Sequence, residues 1–179
     1  MVSRRKIVRG VAGTLLVLWA MAIALHGRTG AAEGARPTVQ VREVFFGERE
    51  ETVCQPGRRE FVLDDLRGLS VCIVWSGLAG TYWTQLTFVS PDGHVYQTMT
   101  QAFVTPEARA TVATVEVQGQ QHGVKRAGWG RKGESVVVAM LPVAGTYITQ
   151  HNLAGLWTVK ISLNGRPVDE DHFILHPRQ

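Results

Sequence analysis

Helical periodicity, catalytic signatures and cysteine are what this sequence has least of, and each shortage excludes something. Beyond the amino end no three-and-four spacing of apolar residues persists, which argues against a helical bundle or an alternating α/β sheet. Gly-x-Ser-x-Gly, His-Glu-x-x-His and a locally supported Cys–His pair are all absent. The nucleophile elbow and the zinc-peptidase helix are therefore excluded, whereas a site assembled from distant residues is not. Ser76, in Trp75-Ser76-Gly77, has no recognisable base. The longest apolar run, Val11 to Leu25, has fifteen residues, short of the roughly 18 that a spanning helix needs. No internal repeat of solenoid or propeller length occurs.

What is present starts with an address. Arg4, Arg5, Lys6 and Arg9 precede that apolar run without an acid among them, and Gly30-Ala31-Ala32 follows it with small residues. This is the three-part layout of an export signal over residues 1–32, with cleavage expected and retention as an anchor the alternative. No cysteine lies near Ala32, which argues against a lipid-attached amino terminus. Ser3 to Arg9 also resembles a twin-arginine signal, so both the secretory and the twin-arginine route stay open. The expected destination is periplasmic or extracellular.

Removing the signal changes the charge argument. Of the 19 Lys and Arg, five (Arg4, Arg5, Lys6, Arg9 and Arg28) lie in residues 1–32, leaving 14 basic against 15 acidic groups. The high whole-chain pI of about 9.4 thus belongs to the signal, and it implies neither nucleic acid nor an anionic membrane as partner. Export also bears on Cys54 and Cys72, the only two cysteines. In an oxidising compartment such a pair is more often bridged than free. A bridge closing a loop of this size is worth about 3 kcal/mol in the chain-entropy account. A thiol metal site or a redox pair is the alternative, and the spacing matches no Cys-x-x-Cys motif.

After a small, polar leader at 33–38, the chain reads as short β-branched and aromatic runs separated by turn residues. Strands are expected at 39–46, 60–63, 69–75, 82–89, 95–101, 111–117, 135–141, 156–163 and 171–175, an all-β antiparallel two-sheet sandwich in one domain over 39–179. Ser90-Pro91-Asp92-Gly93 is a hairpin signal, with Pro where φ is already set and Gly where a positive φ is needed. Thr105 to Arg109 is the one place where a helical turn is expected, Thr capping and Pro at the first position.

The clearest pattern is Leu156 to Leu163. Trp157, Val159, Ile161 and Leu163 make one apolar face, and Thr158, Lys160, Ser162 and Asn164 a polar one. One side against a core and one in water is the consequence. Asn164-Gly165 then turns the chain, and Phe173 and Leu175 point inward on the return. Val168 and Phe173 are at odd spacing, so a bulge or loop is expected within Asp169-Glu170-Asp171. Gly155-Leu156-Trp157-Thr158-Val159, a Gly turn and Phe173-Ile174-Leu175 resemble the closing strands of immunoglobulin-like domains of exported bacterial proteins. That resemblance implies an immunoglobulin-like sandwich serving as an interaction or structural module, although fold alone does not settle function.

Three places are candidates for chemistry. Gln118 to Glu134 reads as one long connection, a mobile loop or an extended hairpin, with Lys125, Arg126, Arg131 and Lys132 around Trp129, a set also able to hold an acidic partner patch or a small anion. It lacks the Gly-Lys-Ser/Thr ending of a phosphate loop. Trp83, beside Tyr82, is expected to point outward, either to stack on a partner or to cover a sheet edge. His172 and His176 share one strand face but stand about 13 Å apart at roughly 3.3 Å per residue, too far for one metal without help such as Met99 or Met140. His94, His122 and His151 fall on turns or loops. The paired acids Asp64-Asp65 and Asp169 to Asp171 show no apolar pocket to shift them into glycosidase use.

The expectation is a non-enzymatic interaction or accessory module that binds a protein partner in the cell envelope, without cofactor or metal. Lys125, Arg126, Trp129, Arg131, Lys132 and Trp83 are the partner-binding candidates. Periplasmic metal or cofactor handling, and carbohydrate or cell-wall binding, are the alternatives.

Overall fold

The computed structural model describes residues 38–48 and 57–177. Cys54, the signal and most of the leader lie outside the described residues. Eleven strands and one short helix form two sheets. The smaller sheet runs in the order β1 (Gln40–Gly47), β3 (Gly68–Ser76), β9 (Glu134–Pro142) and β8 (Gly128–Trp129). The larger runs β2 (Glu60–Val62), β11 (Arg166–His176), β10 (Gly155–Leu163), β4 (Thr81–Val89), β5 (Val95–Val104), β7 (Gln120–Arg126) and β6 (Thr114–Val117). Two pairings are parallel, β2 with β11 and β5 with β7.

This order is immunoglobulin-like. In the lettered scheme the small sheet is A-B-E-D, and the large sheet carries G, F, C and C′ side by side. The opening strand is divided, β1 joining one sheet and β2 the other. The fold class expected from the strand pattern is therefore the one observed. Among the described residues no helix is long and apolar enough to cross a membrane.

The core follows from the alternation. β3, between β1 and β9, is buried along nearly its whole length. Val71, Ile73 and Trp75 point between the sheets, while Cys72 and Val74 make a separate small cluster with Val136. Cys72 is buried, and no described cysteine is free. On β10, Trp157, Val159 and Ile161 are buried and Lys160 is exposed, as the sequence alternation requires. Trp157 is the hub: its ring lies 5.9 Å from Phe173 and 5.4 Å edge-on from Tyr96. Phe46 of β1 meets Phe173 of β11 at 5.4 Å and joins the two layers. The Trp157 Nε1–H donates to the Leu153 carbonyl at 3.0 Å. The Trp75 indole nitrogen, by contrast, is buried without a partner.

Local structure departs from expectation in three places. Thr105 to Arg109 is a turn and not a helix. The Thr105 side chain accepts from Gly80 N–H at 3.1 Å instead of capping a helix. Among the described residues the one helix is α1 (Tyr147–Gln150), where Thr146 caps Ile148 N–H and the Ile148 side chain is fully buried. Four residues are too few to show a period. The bulge opposite β10 falls at Val168, since Ile161 pairs with Asp169 and Ser162 with Pro167. Val168 is thus the extra residue and is exposed, so it never needed the inward phase that placed the bulge in 169–171.

The third departure shapes the site. Residues 118–134 are not a structureless connection but carry β7 and β8. Gln118 and Gly119 both take positive φ, 52° and 79°, which closes a tight two-residue hairpin between β6 and β7. The chain then runs parallel to Ala102–Val104 before crossing to the small sheet.

Candidate functional site

The most distinctive feature of the fold is one side of the sandwich that the described residues leave uncovered. β8 pairs with β9 only at Gly128 with Val136 and Trp129 with Ser135. Just before it, Ala127 N–H donates to the Val104 carbonyl of the large sheet. The chain has therefore already changed sheets where a longer strand would run along β9. Across the gap, β7 covers β5 only from Ala102 to Val104. Among the described residues the edges of β5 before Ala102 and of β9 after Val136 have no strand partner.

A groove of about 680 Å³ lies between these two edges. Its apolar walls include Met99, Phe103, Val137 and Met140, and its titratable lining residues are His122, Lys125 and Arg126. No acid lines it. One side chain spans it: Gln101 Nε2 donates to the Val138 carbonyl at 2.8 Å. In an antiparallel strand the N–H and C=O of one residue point to the same neighbour, and successive residues alternate. The Val138 carbonyl faces Gln101, so the N–H of Val138 and the N–H and C=O of Met140 face the groove as well. Val137 and Ala139 are the residues that bond β3.

The expected partner-binding residues are divided by this geometry. Lys125 is exposed on the groove wall. Arg126 also lines it, but its guanidinium donates to the Pro106 and Ala108 carbonyls at 2.7 and 2.9 Å, pinning the 105–109 turn. Trp129 is 67% exposed on β8. Arg131 and Lys132 sit in the tight turn between β8 and β9, closed by Glu134, whose carboxylate accepts from Arg131 N–H at 2.8 Å. Trp83 is half-buried on the large sheet. Its N–H donates to the Asn164 side-chain Oδ1 at 3.0 Å, its carbonyl accepts from the Asn164 N–H at 2.9 Å, and a Cβ on Gly165 would stand 3.3 Å from its ring. Trp83 therefore braces the Asn164-Gly165 turn and does not line the groove. Sequence reasoning did not single out Gln101, Val138 or a groove, because their meeting depends on strand order.

Several histidines and acids outside the groove have partners. His172 Nδ1 lies 3.0 Å from Thr158 Oγ1, and His176 Nε2 lies 2.9 Å from Glu60 Oε2. His151 stacks on Tyr147 at 3.7 Å. No group of three or more His, Cys, Asp or Glu placed to hold a metal occurs among the described residues. In the acidic run, Asp171 takes a two-pronged bond from Arg59, which also donates to the His172 carbonyl. Burial pushes the Asp171 carboxyl up, but the Arg59 hydrogen bonds, the His172 N–H and the Arg59 charge together hold it below the usual carboxylate range. The same bond raises Arg59. At the β4–β5 hairpin the Ser90 hydroxyl holds Asp92 low, and Gly93 has φ 83° as the turn requires.

Comparison with known proteins adds little beyond architecture. No family model matches the chain, and no curated protein matches it significantly. Among solved structures it is similar to an immunoglobulin-like protein of Pseudomonas aeruginosa, at 16% identity over 80% of this chain and 100% of that one, with a TM-score of 0.42. It is also similar to part of a Pseudomonas fluorescens alkylpurine DNA glycosylase bound to DNA, at 10% identity, 79% of this chain, 30% of that one and a TM-score of 0.40. A third is a Bifidobacterium dentium β-glucuronidase, at 11% identity, 76% of this chain, 17% of that one and a TM-score of 0.33. Neither enzyme's activity carries over to this chain at such identities. The order of its own strands is that of an immunoglobulin-like sandwich.

Proposed function

We propose that this chain is an exported, non-enzymatic interaction module whose partner is a protein of the cell envelope. The observation that supports this best is the uncovered side of the sandwich, where two unpaired strand edges flank a basic, partly apolar groove. Exposed strand edges invite pairing with another chain, and folded proteins ordinarily blunt them. Here the blunting is a single glutamine. Export follows from the basic, apolar and small-residue sequence of residues 1–32, and with it a Cys54–Cys72 bridge. Cys72 is buried with Val74 and Val136, apart from the between-sheet core, so the bridge would form on the outward face of β3.

The test is purification of the mature protein from its native envelope, with wild-type and groove-altered chains compared. A protein that co-purifies stoichiometrically with the wild type and is lost with Lys125→Glu supports the reading. Turnover of a substrate by the purified protein, abolished by one polar substitution, would sink it. Mass measurement before and after reduction, with thiol alkylation, checks the bridge.

A second reading has one observation in its favour. Met99, Met140 and His122 line the same groove, and thioether with imidazole is a donor set suited to Cu(I). Stoichiometric copper in the isolated protein, reduced by Met140→Leu, would favour metal handling.

A further inference from the structure

We infer that the groove between β5 and β9 takes an extended, acidic peptide segment of the partner, which adds to the edge of β9 as an antiparallel strand. This deepens the interaction-module reading and rests on it. Three observations carry it. First, the β9 edge is usable: Val138 N–H and Met140 N–H and C=O face the groove, two residues apart, as a pairing strand requires. Chain geometry explains why nothing in the described fold occupies it, since Ala127 is already bonded to Val104 of the other sheet.

Second, the blunting is reversible. Among the described residues the Val138 carbonyl is held by the Gln101 side chain alone, and a side-chain rotation releases it to an incoming backbone N–H. A proline or an inward charge would have closed this edge permanently, and Val136 to Met140 contains neither. Third, the walls choose the chemistry. Lys125 and Arg126 supply positive charge with no acid among the described lining residues, so a basic segment is disfavoured. Met99 and Met140 offer flexible apolar surface that adapts to the alternate side chains of a bound strand. Main-chain bonds supply affinity in such a mode, and charge sets which segment is accepted.

The experiment uses the full mature protein and two short synthetic peptides, one alternating glutamate with valine and one in which lysine replaces each glutamate. Binding is followed by amide NMR shifts and hydrogen exchange. The acidic peptide should bind saturably and slow exchange at Val138 and Met140. The lysine peptide should bind at least about tenfold more weakly. Lys125→Glu should weaken the acidic peptide about fivefold, the size expected of one exposed charge pair.

Val138→Pro removes an N–H that bonds no strand in the fold and should abolish binding. If that variant does not fold, Lys125→Glu with the exchanged peptides carries the same test. Binding that leaves the Val138 and Met140 amides unchanged overturns the inference, as does equal affinity for both peptides or no saturable binding of either. If the native envelope partner still co-purifies with folded Val138→Pro, the inference fails while the interaction-module reading survives. If no partner co-purifies at all, the module reading itself fails.

Discussion

Gln101→Ala is the substitution whose consequences are easiest to derive and most informative. The residue is half-buried on β5, and its amide makes one bond, to the Val138 carbonyl at 2.8 Å. Removing it deletes a neutral hydrogen bond worth about 0.5–1.5 kcal/mol net. The carbonyl it leaves faces a groove of about 680 Å³ and not a sealed core, so water can take the bond and the full penalty of a buried unsatisfied acceptor does not apply. The expected loss is about 1 kcal/mol, a melting shift of a few degrees for a domain of this size. Urea unfolding of wild type and variant, with equal m-values, gives the number. At the same time the edge becomes more available, so affinity for the acidic peptide should rise. A loss above about 3 kcal/mol would refute the reasoning, since Gln101 would then be part of the core. Weaker peptide binding would refute it from the other side, since the glutamine would then be a contact and not a cover.

Two further outcomes follow from the same structure. Trp157→Phe removes the indole N–H that bonds Leu153 and opens space beside Phe173 and Tyr96, so a loss of about 2–3 kcal/mol is expected in the same unfolding assay; a neutral result would contradict its place at the hub of the core. Asp171 is held below its ordinary value, so the stability contributed by its bond to Arg59 is present above the unfolded carboxyl value of about 4 and lost as pH falls through the lower folded value. The pair is partly exposed, which limits the contribution to about 1 kcal/mol. Asp171→Asn should therefore lower stability at pH 7 and flatten its dependence below pH 4; an unchanged acid limb would contradict the assignment.

How far the sequence could be read depended on how local the determining interactions are. The strand Leu156 to Leu163 was legible because burial on one face imposes period two, and Trp157, Val159 and Ile161 carry that period without interruption. The Ser90 to Gly93 hairpin was legible because its turn residues act on their own backbone. Residues 118–134 were not: β7 has polar residues at most positions and is held by parallel pairing to Ala102–Val104, a long-range contact that leaves no mark on its composition. Trp83 shows a related limit. Alternation placed it on the outer face of β4, but only the position of the Asn164-Gly165 turn decides that it braces that turn. The groove was least legible. It depends on where Ala127 crosses between sheets and on the meeting of Gln101 with Val138, 37 residues apart.

The central claim is that the β9 edge beyond Val136 is unpaired and available, and amide hydrogen exchange of the free mature protein tests it most directly. Alternating protection is predicted along the strand, with Val137 and Ala139, which bond β3, exchanging slowly and Val138 and Met140 exchanging fast. Uniform slow exchange from Val137 to Met140 in the free protein would show that the edge is already covered, and would contradict the account.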